Sequence, residues 1–132
     1  MKKVILIVLL FTVVGYSGEW KAQTLEGMNV VAYIEDGERF ATIIKGPGLL
    51  YTMYVPEYNY GNFGYIMMHV DLVYKTVCNI EGTIYGVTKI FISREDIPYM
   101  KKGRLLVFKD DETNASFIFK LSGFTKAWNQ TF

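Results

Sequence analysis

Alternation with period two dominates the chain from Gly18 onward, and no ten-residue stretch carries the three-to-four spacing of an amphipathic helix. Met28, Val30, Ala32 and Ile34 fall on one face of a first predicted strand, which Gly37 ends. Phe40 to Ile44 is a second, closed by Lys45-Gly46-Pro47-Gly48, a turn that neither a helix nor a central strand tolerates. Leu50 to Val55 follows and stops at Pro56. The longest alternating run, Tyr65 to Ile80, puts Ile66, Met68, Val70, Leu72, Tyr74, Thr76, Cys78 and Ile80 on one side and His69, Asp71, Lys75 and Asn79 on the other. At about 3.3 Å per residue it would reach roughly 50 Å, so a bend or bulge is expected near its middle.

Glu81-Gly82 reads as the turn into a strand over Thr83 to Ser93, with Gly86 as a bulge or a point of close approach. Glu95 to Met100 reads as one helical turn or loop ended by Lys101-Lys102-Gly103. Leu105 to Phe108 and Ser116 to Leu121 make the last two strands, joined by the polar loop Asp110 to Asn114. Phe124 and Trp128, four apart, predict a short closing helix with both rings on one face. Seven or eight short strands with turn signals between them predict an all-β fold, an antiparallel β-sandwich with a short C-terminal helix.

The first residues follow a different rule. Met1-Lys2-Lys3 precedes an almost pure apolar run, Val4 to Val14, and then Gly15-Tyr16-Ser17. A charged start, an apolar centre and small residues at the exit are what a secretory leader requires. Eleven residues fall short of the roughly 20 that a spanning helix needs. The expectation is a signal peptide over 1–17, cleaved near Ser17, a single sandwich domain over 18–132, and a periplasmic or secreted product that meets the membrane only in passing. The two-lysine start looks bacterial, and no cysteine follows the run to carry a lipid.

Composition narrows the classes further. The chain has 132 residues, 51% hydrophobic and 16% aromatic, which suits one packed core and excludes disorder and disulfide-stapled mini-proteins. With 14 basic and 13 acidic residues, loss of Lys2 and Lys3 leaves 12 against 13, so no net positive field draws in nucleic acid. Cys78, the only cysteine, has no partner for a disulfide within the chain. It reads as a small buried residue of a strand, the other reading being an intermolecular bridge or a reactive thiol.

Candidate chemistry is sparse. His69, the only imidazole, shares a face with Asp71, yet a lone histidine on the polar side of a strand reads as solvated surface. It lies opposite Cys78, so neither a nucleophile–base pair nor a zinc set forms. Glu35, Asp36 and Glu38 at one turn, and Asp110, Asp111, Glu112 and Asn114 at another, lack a calcium-loop spacing. No cofactor and no metal is expected. The unusual stretch is Leu50 to Tyr65, where Tyr51, Tyr54, Tyr58, Tyr60, Phe63 and Tyr65 alternate with Asn59, Gly61, Asn62 and Gly64. Tyrosine with glycine and asparagine is the composition of binding loops, because each ring brings contact area at low entropic cost. Tyr54, Tyr58, Tyr60, Phe63 and Tyr65 are therefore candidate binding residues for a protein surface or a sugar; the same rings also suit covering the ends of a sandwich.

Short stretches tie the chain to a family. Cys78-Asn79-Ile80-Glu81-Gly82, Asp96-Ile97-Pro98-Tyr99-Met100-Lys101-Lys102-Gly103 before a Leu-Val-Phe strand, Leu121 to Ala127, and Glu19-Trp20 together resemble the invasion-associated locus B family of exported bacterial proteins. That family tends to place a second cysteine just after the glycine, where this chain has Thr83, so its usual disulfide is missing here. The resemblance implies an exported all-β protein of envelope or host-cell interaction and carries over no catalytic residue. The expected function is non-catalytic binding, the alternatives being a small exported hydrolase using Asp or Glu acids and a carbohydrate-binding or inhibitor module.

Overall fold

A computed structural model describes residues 18–25, 27–35, 39–57, 64–109 and 116–132. Their strands are β1 (Glu19–Leu25), β2 (Met28–Ile34), β3 (Phe40–Lys45), β4 (Leu50–Pro56), β5 (Tyr65–Val70), β6 (Tyr74–Ile84), β7 (Val87–Ser93), β8 (Leu105–Lys109) and β9 (Ser116–Lys120). A 3₁₀ turn over Arg94–Asp96 leads into α1 (Ile97–Lys102), and α2 (Phe124–Thr131) follows β9. The strands form one antiparallel sheet in the order β1-β2-β3-β4-β7-β6-β5-β8-β9. The all-β class and the closing helix are as the alternation predicts. Neither helix is long and apolar enough to cross a membrane.

The sheet curls until its two ends nearly meet, giving a barrel-like form. Trp20 of β1 donates its backbone N–H to the Ser122 carbonyl (2.9 Å) and its indole Nε1–H to the Lys120 carbonyl (2.8 Å). The Trp20 ring meets the edge of Phe124 at 5.3 Å, and Tyr33 meets Phe119 at 5.6 Å across the same seam. Closure requires a glycine at 123. It sits at φ 78°, and a Cβ there would lie 2.7 Å from Glu19 Cγ and 2.8 Å from the Trp20 carbonyl oxygen. These contacts cover part of the two outer strands, β1 and β9, which remain the edges of the sheet.

The concave side holds the main core: Trp20, Val31, Tyr33, Ile43, Met53, Ile66, Met68, Ile90, Leu106, Phe108 and Phe119 among others. α2 closes it with Phe124, Ala127 and Trp128, and the two rings four apart pack at 5.5 Å on the predicted shared face. The convex side of β2, β3, β4 and β7 carries a second buried cluster of Val30, Ala32, Ile34, Ile44, Tyr54 and Val87. The alternating residues of β2 singled out from sequence therefore face the second cluster, while Val31 and Tyr33 between them enter the main core.

Three sequence expectations change. β1 has too little alternation to announce itself: Trp20 joins the core with Ala22 packed against it, and Glu19, Lys21 and Gln23 between and beside them are polar. The run from Tyr65 to Ile80 is two strands, because Asp71 (φ 54°) and Leu72 (φ 63°) turn the chain and the Val73 N–H bonds the Val70 carbonyl. Leu72 leaves the buried face and is 85% exposed. The pairing Ile66↔Cys78, Met68↔Thr76 and Val70↔Tyr74 keeps the even-numbered residues together across the turn, which is why the parity looked unbroken. Finally, Gly82 and Gly86 exchange roles. Gly82 lies where the β6–β7 register shifts, whereas Tyr85-Gly86, both at positive φ, make the two-residue hairpin turn between Ile84 and Val87.

Candidate functional site

β4 delivers its aromatic residues to opposite sides of the sheet. Tyr51, Met53 and Val55 point to the concave core, and Tyr54 points to the convex cluster, where it is 1% exposed. The Lys89 ammonium sits 5.8 Å from the centre of the Tyr54 ring and pairs with Glu81 at 3.1 Å. Burial first, and the Glu81 charge second, push the Tyr54 phenol up to about 12. Tyr65 opens β5 and is 39% exposed. Tyr58, Tyr60 and Phe63 lie outside the described residues. Their flanks are described: the Glu57 N–H bonds the Gly86 carbonyl and the Ile80 N–H bonds the Gly64 carbonyl, so the segment departs and returns on either side of the β6–β7 hairpin. β7 and β6 lie between Tyr54 and Tyr65, a separation of roughly 14 Å at strand spacing. The two described members of the aromatic set are thus not brought together.

The groups with acid–base capacity hold the fold. Asp71 accepts from the Arg104 N–H (3.0 Å) and the Leu105 N–H (2.9 Å), fastening the β5–β6 turn to the start of β8, while His69 stands in mid-strand opposite Lys75 and Val107. Asp96, 3% exposed, accepts from the Ser93 N–H (2.9 Å) and from the Tyr74 hydroxyl (2.5 Å). Ser93 in return accepts from the Glu95 N–H, a reciprocal cap at the start of the 3₁₀ turn. Tyr74 stacks on Tyr99 at 3.8 Å, and its phenol is pushed up to about 12 by burial and by the Asp96 carboxylate. Cys78 is buried, and burial and then Asp96 push its thiol up to about 12, which keeps it a neutral, weakly nucleophilic group.

Glu35 receives the Tyr33 hydroxyl (2.8 Å) and Arg39 Nη1 (2.7 Å), with Lys120 Nζ at 3.6 Å. Those contacts, the Tyr33 bond foremost, hold its carboxyl below the usual range. Asp36, Glu38 and the acids of 110–114 lie outside the described residues. Among the described residues no group of three or more metal-ligating side chains gathers.

One surface feature was not read from the sequence. At the C-terminal end of α2, Tyr51, Trp128 and Phe132 pack as a trio, with ring centres 4.6 Å (Tyr51–Trp128), 5.2 Å (Tyr51–Phe132) and 4.5 Å (Trp128–Phe132) apart. A groove of about 460 Å³ runs from this trio past Ile97 and Pro98 to Arg94, Lys101 and Lys102. Its parts come from β4, the 3₁₀ turn, α1 and α2, so no local spacing signals it; the Lys101-Lys102 pair is the one fragment visible in the chain.

No family model and no curated protein matches the sequence. Among solved structures, the crystal structure of invasion associated protein b from Bartonella henselae is similar, with a TM-score of 0.55 at 14% identity over 85% of this chain and 88% of that one. At that identity the likeness is one of fold, a curled antiparallel sheet shared over most of both chains.

Proposed function

We propose that this chain is an exported, non-catalytic binding protein of a bacterial envelope, working outside the cytoplasm at a host-cell or envelope surface. The observation that carries the reading is the similarity of nearly the whole fold to a protein named for invasion. The leader pattern of residues 1–17 supports export. The alternative of a hydrolase gains little from four of the described carboxylates: Asp71 and Asp96 are bound to backbone amides, and Glu35 and Glu81 to neighbouring cations.

In this reading Tyr58, Tyr60, Phe63 and the exposed Tyr65 supply contact area for a protein or glycan surface, while Tyr54 is buried and serves the sheet. The test is capture of surface material by the purified protein, beside a variant with Tyr58, Tyr60 and Phe63 all changed to Ala. Loss of capture in the variant with an unchanged thermal midpoint is the expected outcome. Equal capture removes the aromatic segment from the proposal, and turnover of a glycoside or ester by the wild type removes the non-catalytic reading.

A further inference from the structure

The groove beside α2 lies at the opposite end of β4 from the aromatic segment and gathers cations that, among the described residues, form no ion pair. Arg94, Lys101 and Lys102 line it, and Lys45 lines a second hollow of about 590 Å³ that shares Tyr51 and Phe132 with it. Among the described residues the ion pairs join Arg39 and Lys120 to Glu35 and Lys89 to Glu81, and none involves these four cations. Lys101 donates to Asn129 Oδ1 (2.9 Å), a neutral partner that fixes its head beside the groove. Like charges around a ring-lined concavity concentrate positive potential there, although the chain as a whole is nearly neutral.

The rings narrow the anion's class. Phe132 is 42% exposed and Tyr51 half-buried, so the groove offers flat apolar surface between its cations. A pyranose presents apolar C–H faces to such rings and anionic substituents at its rim, which the Arg94 fork takes bidentately and the lysines as point charges. An acidic peptide is the poorer match. A docked peptide commonly gains affinity from an open strand edge, and β4 is already bonded on both sides, to β3 and to β7.

We propose that this groove binds an acidic polysaccharide, with a sugar ring against Phe132 and Tyr51 and its carboxylate or sulfate groups on Arg94, Lys101 and Lys102. The site is separate from the aromatic segment and stands even where that segment binds nothing. The experiment titrates the purified chain with a fluorescent heparin oligosaccharide, beside neutral dextran and polyglutamate. Heparin is expected to bind and dextran not. The double variant R94E/K102E is expected to weaken binding about tenfold with an unchanged thermal midpoint, F132A to weaken it several-fold, and K75E/K109E, the same charge change elsewhere, to shift it less than about twofold. Equal weakening by the two double variants, polyglutamate binding as tightly as heparin, or no binding of heparin each overturns the proposal.

Discussion

The two faces of β2, β3 and β4 are both buried, yet they are built differently. The concave face joins residues from all nine strands and both helices, and its aromatic side chains touch one another: Tyr33 packs against Phe119, Phe119 against Phe108 at 6.3 Å, and Trp20 against Phe124. The convex face draws its six buried residues from four neighbouring strands, and one of the six, Tyr54, is aromatic. One face couples distant parts of the chain, whereas the other adds burial to strands already paired. Strands buried on both sides read as near-continuous apolar runs, as β3 and β4 do, and alternation then stops telling inside from outside.

The sharpest way to test that contrast is a pair of truncations. Phe119→Ala removes a fully buried ring that touches Tyr33 and Phe108, and a loss of about 3–5 kcal/mol in urea unfolding is expected. Ile44→Ala on the convex face, 2% exposed, is expected to cost about 2 kcal/mol, the lower end for such a change. Equal costs would mean the convex cluster is as integral to the fold as the concave one.

Alkali probes both faces at once. Cys78 on the concave side and Tyr54 on the convex side are held neutral, each pushed up to about 12 from ordinary values of 9.0 and 10.0. Because the unfolded chain releases these protons at lower pH than the native one, their contribution is complete below about pH 9 and declines as pH rises toward 12. Unfolding free energy measured between pH 8 and 12 should therefore fall, first through Cys78 and then through the tyrosines. In Cys78→Ala the decline should begin about one pH unit later.

The smallest expected effect lies outside both clusters. Leu72 is 85% exposed and held at φ 63°, so Leu72→Gly relieves strain while removing almost no packing. A gain of up to about 1 kcal/mol is expected, and destabilisation would show that Leu72 packs against something.

Much of the fold was legible because turn chemistry and parity agree where they are strong. Gly46-Pro47-Gly48 separates β3 from β4 as expected, and Phe124 and Trp128 share a face as their spacing implies. The misses have local causes. The Asp71–Leu72 turn contains neither glycine nor proline and depends on a carboxylate bonded to amides more than thirty residues away, which no window of sequence contains. β1 is an edge strand whose place is set by the seam. Two of the fragments that resemble the invasion-associated family, Glu19-Trp20 and Leu121–Ala127, are neighbours there: Trp20 bonds Ser122 and packs against Phe124, with Gly123 beside Glu19. Tyr54 shares the composition of a binding loop, but it lies within the strand expected over Leu50 to Val55, and strand parity turns it into the convex sheet face.

The bond from the Trp20 indole to Lys120 spans a hundred positions of the polypeptide. A ribosome must therefore deliver nearly all of the chain before its first strand can find its last, and until then the ribbon stays open with its apolar side bare.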